Sequence, residues 1–156
     1  MKTSTVAISI DGVLRKIIGN DPIPAGLILF KALASQFAVV ILTSKPGDPA
    51  WLDEHGVKND MIIPAEGRSR LSVINELKFE FGYTIDLVVE PDPEQAAKLF
   101  EAGFAVLGFF HPYYSHPEWR PDGSGSVSEG WAELRGVVTR DIQQRRSETR
   151  LEPQDE

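Results

Sequence analysis

The sequence predicts an α/β domain in which a parallel five-stranded sheet lies between two layers of helices. Three observations carry that expectation. Short apolar runs alternate with helical patterns in a βαβα order, which calls for right-handed crossovers and a parallel sheet. Two of the runs, Val39-Val40-Ile41-Leu42 and Leu87-Val88-Val89, are continuously apolar, as strands covered on both faces are. Asp11, Thr43 and Glu90 fall at the ends of three different runs, where such sheets place a ligand crevice.

Each element has its own signal. Strands are expected over 5–10, 38–42, 61–64, 85–89 and 105–109. The first helix, over 25–36, is apolar and follows Pro22 and Pro24. In the second, Asp48 reads as the N-cap and Pro49 as the first helical residue, with Gly56 as the stop. Ser69 caps a third helix with Leu71, Ile74, Leu77 and Phe81 at helical spacing. The fourth combines an N-cap Asp92, Pro93 at the first position and Gln95 at the third, as in a capping box, and ends at Gly103. Beyond Phe110 the chain turns Pro- and aromatic-rich over 111–126. Ser126 and Glu129 then offer a capping box to a final helix over 127–146 with an apolar stripe of Trp131, Leu134, Val138 and Ile142. Residues 147–156 read as a polar tail, so 1–146 forms a single domain with its core in 5–110.

Composition bounds the function. The chain has 156 residues, no cysteine and a formal net charge of −7. Thiolate chemistry is excluded, and broad nucleic-acid binding is disfavoured because it needs many Lys and Arg contacts to phosphates. No apolar run approaches a membrane span and no secretory signal is visible, so the expected location is cytoplasmic.

The run Ser9-Ile10-Asp11-Gly12-Val13-Leu14 carries the most specific information. Residues two apart on a strand share a face, so Ser9 and Asp11 point the same way. The run resembles the first motif of the haloacid dehalogenase-like (HAD) phosphohydrolases, Asp-x-Asp-Gly-x-Leu, with Ser9 in place of the nucleophilic Asp. The resemblance extends in order along the chain. Thr43, followed by Ser44, stands at the second motif, whose hydroxyl bonds a phosphoryl oxygen. Glu90, with Asp92 and Glu94 after it, stands at the acidic fourth motif. The third motif is a Lys. No Lys matches cleanly, and Arg68 and Arg70 are the nearest cations. The segments 14–24 and 43–61 are too short for a cap domain, so the resemblance implies a capless, three-layer member with sheet order 5-4-1-2-3 and an open crevice. The texture of the tail loosely resembles small HAD-like proteins of actinobacterial phages, for which the location would be the host cytoplasm.

The resemblance further implies a phosphate site made by Thr43, Ser44, Arg68 and Arg70, and a weakened Mg²⁺ site made by Asp11, Glu90 and Glu94. The change at Ser9 matters most. An aspartyl phosphate hydrolyses readily, whereas a phosphoserine ester is far more stable and would stall after one turnover. Loss of a carboxylate also weakens Mg²⁺, a hard cation that favours carboxylate oxygens. The expectation is a catalytically impaired protein that binds a phosphorylated small molecule or a protein partner. The rivals are a Mg²⁺-dependent phosphomonoesterase, nucleotidase-like, in which Asp11 acts, and an assembly module reusing the fold. Taking Asp11 itself as the nucleophile would put Val13 at the second acid, and a response-regulator reading fails because the third strand ends in Pro64 rather than an acid.

Other residues read more plainly. Asp11 before Gly12 suits a turn, and Asp92 suits a helix cap. Arg68 and Arg70 taken alone suit a solvated surface. His111, His116 and Glu118 lack a clear further ligand for a metal. Tyr113, Tyr114 and Trp119 are expected to pack the last helix onto the sheet, and Trp51 and Trp131 to be core anchors.

Overall fold

The computed structural model describes residues 4–111 and 129–151. The strands are β1 (Ser4–Ser9), β2 (Ala38–Thr43), β3 (Met61–Pro64), β4 (Thr84–Glu90) and β5 (Val106–Gly108). The helices are α1 (Pro24–Ala34), α2 (Asp48–Glu54), α3 (Arg70–Phe79), α4 (Pro93–Glu101) and α5 (Glu129–Leu151). All strand pairs are parallel, in the order β3-β2-β1-β4-β5, which read from the opposite edge is 5-4-1-2-3.

Alternate residues of the central strands feed two separate cores, as the period of two requires. Val6, Ile8, Val39, Ile41 and Val89 pack on one face with Phe30 of α1 and Trp51 and Leu52 of α2. Ala7, Val40, Leu42 and Val88 pack on the other with Val73, Ile74 and Leu77 of α3 and Leu99 of α4. Each fully buried aliphatic side chain contributes about 1.5–3 kcal/mol. The sheet is therefore clamped from both sides, and the ends of β1, β2 and β4 are held in fixed relation.

The segment between β1 and α1 folds as a small flap. Gly12 makes its turn with φ +83°, a conformation that favours glycine. Leu14 and Arg15 N–H groups return to the Ile10 carbonyl, Lys16 N–H reaches Asp21, and Ile23 N–H reaches Leu14. Gly26 of α1 fits against this flap because it lacks a side chain: a Cβ there would lie 1.6 Å from the Val13 carbonyl oxygen.

Several local expectations change in the structure. Helix α2 begins at Asp48 itself, with Gly47 at its N-cap, and the Asp48 carboxylate turns back to accept from the Ser44 and Lys45 amides. Its attraction to those free amides and to Arg15 outweighs capping of its own helix. Ser69 and Asp92 do cap α3 and α4, accepting from the amides of Ser72 and Glu94. Gln95, however, accepts from the Arg70 amide at 2.9 Å instead of closing a capping box, and so ties α4 to the start of α3. Phe81 lies past the end of α3 and is exposed.

Helix α5 runs to Leu151, beyond residue 146, since no helix breaker occurs before Pro153. Its main packing is against α4 rather than the sheet. Val137, not Val138, is its buried valine, Ile142 is exposed, and Trp131 meets Phe110 with ring centroids 4.8 Å apart. The Ser126–Glu129 capping box and the readings on His116, Glu118, Tyr113, Tyr114 and Trp119 lie outside the described residues.

Candidate functional site

The carboxyl ends of β1, β2 and β4 place Ser9, Thr43 and Glu90 side by side, with Asp11 on the turn that follows β1. A hollow of about 140 Å³ opens there, with Ser9, Asp11, Thr43, Ser44, Glu66 and Arg70 in its lining. Glu90 lies behind it, fully buried. Six of the residues expected from sequence, Ser9, Asp11, Thr43, Ser44, Arg70 and Glu90, therefore meet at one crevice. Two do not. Arg68 turns away, its guanidinium bonded to Glu76 and to the Pro64 carbonyl. Glu94 is exposed on α4 and pairs with Lys98 at 3.5 Å.

Asp11 and Glu90 are each held by a guanidinium. Arg15 Nε and Nη2 donate to Asp11 Oδ1 at 3.0 and 2.8 Å, while its Nη1 donates to Asp48 Oδ1 at 2.6 Å. The side chains of Arg15 and Asp48 are only 2% and 1% exposed; that of Asp11 is 30% exposed. Ser44 Oγ donates to Asp11 Oδ2, and its amide donates to Asp48. Burial opposes the charges on Arg15 and Asp48. Their mutual hydrogen bond leads the opposing effects, with further bonds from Arg15 to Asp11 and from the Ser44 and Lys45 amides to Asp48. Together these hold Arg15 above, and Asp48 below, its ordinary pKa.

On the other side, Arg70 Nε donates to Glu90 Oε2 at 2.7 Å, and the Ser9 hydroxyl approaches the same oxygen at 3.4 Å. The Asp92 amide donates to Glu90 Oε1 at 3.2 Å. Burial pushes the Glu90 carboxyl up, and the Arg70 charge offsets this only in part. Asp92 is also pushed up, chiefly by burial. Thr43 Oγ1 donates only weakly, to the Ile63 carbonyl at 3.5 Å.

Mg²⁺ requires several oxygen ligands in near-octahedral array. Here the oxygens of Asp11 and Glu90 already accept from Arg15, Ser44, Arg70, Ser9 and Asp92. Among the described residues, no three of His, Asp or Glu converge in a way that could hold a metal. The donor set as folded does not fit Mg²⁺, because all four carboxylate oxygens of Asp11 and Glu90 already accept from guanidinium, hydroxyl or amide donors.

The sequence alone does not mark Arg15, Asp48 or Lys45 as site residues. The i,i+4 spacing of Asp11 and Arg15 was the available signal for the first, and Asp48 was absorbed by a capping role. A second, larger hollow of about 520 Å³ has Arg15, Asn20, Lys45, Asp48, Trp51 and His55 in its lining. There the Trp51 and His55 rings stack at 4.1 Å, and Trp51 Nε1 donates to the Asn20 carbonyl at 2.6 Å. Arg15 and Asp48 line this larger hollow and bond Asp11 and Ser44 of the smaller one, so they link the two.

No protein-family model matches the chain, and no curated protein is similar to it. Among the described residues, no helix is long and apolar enough to cross a membrane.

Proposed function

We propose that this chain is a HAD-type protein that binds a phosphorylated ligand, on a small molecule or a protein, without hydrolysing it. The observation that carries the reading is the state of the two acids at the crevice. Asp11 is tied to Arg15 and Ser44, and Glu90 is buried against Arg70.

A hydrolytic cycle needs a carboxylate nucleophile or an effective base, and metal or equivalent charge stabilisation of the transferring group. Ser9 offers a hydroxyl whose acidic neighbour, Glu90, sits at 3.4 Å and has the same oxygen engaged by Arg70 at 2.7 Å. Asp11, the residue on which an active phosphomonoesterase would depend, is tied down by two bonds from Arg15 and one from the Ser44 hydroxyl. What the crevice does offer is a set of donors. The Thr43 hydroxyl and the Arg70 guanidinium line the same hollow, where the Ser44 hydroxyl donates to Asp11. Hydrogen bonds from charged donors to phosphate oxygens are the strong class.

The size of the hollow supports a phosphoryl group as the bound part. Drug-sized ligands occupy about 300–1,000 Å³, whereas this space is about 140 Å³. The remainder of any ligand would extend outward, as an open crevice permits. The test is thermal protection by orthophosphate. At ten times its Kd, a ligand specific to the folded state adds about 1.4 kcal/mol, or roughly 3–6 °C in a domain of this size. No protection by millimolar phosphate or by phosphorylated amino acids would remove the basis of the reading.

A further inference from the structure

Resting on that reading, we propose that the phosphate is bound without a divalent ion, and that Arg70 is the resident cation of the site. Arg70 is the first residue of α3, and its main-chain amide is fixed by Gln95 of α4. Its side chain is 20% exposed and lines the hollow beside Ser9 and Thr43. Only Nε is spent on Glu90. Among the described residues, Nη1 and Nη2 bond no other group, so one edge of the planar guanidinium is available to a ligand in the hollow. That edge suits the paired oxygens of a phosphate.

Glu90 has two roles in this arrangement. Its carboxylate aims the guanidinium, and it also competes with an incoming anion for Arg70's charge. A metal site would use the same carboxylate in the opposite sense, as a ligand that strengthens phosphate binding. Glu66, also in the lining, opposes an anion by charge alone.

The two senses separate in the isosteric variant Glu90→Gln. Calorimetric titration with inorganic phosphate is carried out in EDTA and again in millimolar Mg²⁺, on the wild type and on Glu90→Gln. The expected result is equal wild-type affinity in both buffers, and affinity higher by about three- to tenfold in Glu90→Gln. Arg70→Gln should weaken binding by about 10- to 100-fold. Because Arg70→Gln strips a buried carboxylate of its partner, the neutral pair Arg70→Gln/Glu90→Gln provides the same comparison in a protein expected to fold. Mn²⁺ titrated into the wild type should give no bound signal by electron paramagnetic resonance.

Phosphate binding that needs Mg²⁺, or that weakens in Glu90→Gln, would overturn the assignment of Arg70 while leaving a phosphate-binding protein in place. Stoichiometric Mn²⁺ binding at this crevice would overturn it as well. Absence of phosphate binding in either buffer would sink both this assignment and the reading beneath it.

Discussion

Replacing Arg15 by Met exposes the ion-pair network to a direct energetic test. The guanidinium is 2% exposed and bridges Asp48, 1% exposed, to Asp11, 30% exposed. Breaking one side of a buried pair costs about 3–5 kcal/mol, because the surviving charge stays desolvated. Asp48 would keep its bonds from the Ser44 and Lys45 amides, which places the cost near the lower bound, about 3 kcal/mol. Asp11 can rehydrate and adds little. Loss of the Arg15 cation 5.5 Å from the Trp51 ring centroid adds about 0.5–1 kcal/mol. The total of about 3.5–4 kcal/mol corresponds to roughly 7–16 °C in melting temperature for a domain of this size. Urea denaturation of Arg15→Met, Asp48→Asn and the double variant measures it. The double variant should cost less than the sum of the singles by about 2 kcal/mol, since the orphaned charge is gone. Arg15→Met within about 1 kcal/mol of wild type, or strict additivity, would refute the claim that Arg15 is held by Asp48 in a desolvated network.

Two further outcomes follow from the same geometry. Gly26→Ala should destabilise by about 3 kcal/mol or more, because its Cβ would meet a main-chain oxygen rather than a movable side chain; urea denaturation reads this directly. The pH dependence of stability should have two opposed limbs. Glu90 has a raised pKa when folded, so its contribution is fully present below its unfolded value and is lost as pH rises through the folded value. Glu90→Gln should flatten this decline, which begins near pH 4.3. Asp48 has a lowered pKa when folded, so its contribution is present above its unfolded value, about 3.9, and is lost as pH falls through the folded value. Denaturation across pH 2–8 that shows wild type and Glu90→Gln running parallel would contradict the first limb.

The fold was legible because its signals were local and mutually consistent. Continuous apolar strands, Ser69 and Asp92 as caps, and glycines at helix ends each set a boundary close to the one observed. The convergence of Ser9, Asp11, Thr43 and Glu90 followed from strand order and from position at strand ends, both of which sequence order constrains. The long-range ion pairs were not legible. Arg15 reaches Asp48 across 33 positions, and Arg70 reaches Glu90 across 20. Nothing in the period of either segment indicates that a charged side chain turns inward. Asp48 misled for a physical reason: a carboxylate before Pro looks like a cap, yet the loop amides and Arg15 offered it better partners than its own helix did. Arg68 and Arg70 illustrate the same limit. Two residues apart, they were equivalent as sequence, and only the docking of α3 on α4 sends one to the crevice and the other to Glu76.

The most direct test of the account is phosphate release by the wild-type chain, at micromolar protein with millimolar Mg²⁺ and an aryl phosphate, followed for many potential turnovers. The account predicts no release above the protein-free rate, and at most a single stoichiometric phosphorylation of Ser9. Continuous release that is abolished by EDTA and by Asp11→Asn would contradict it.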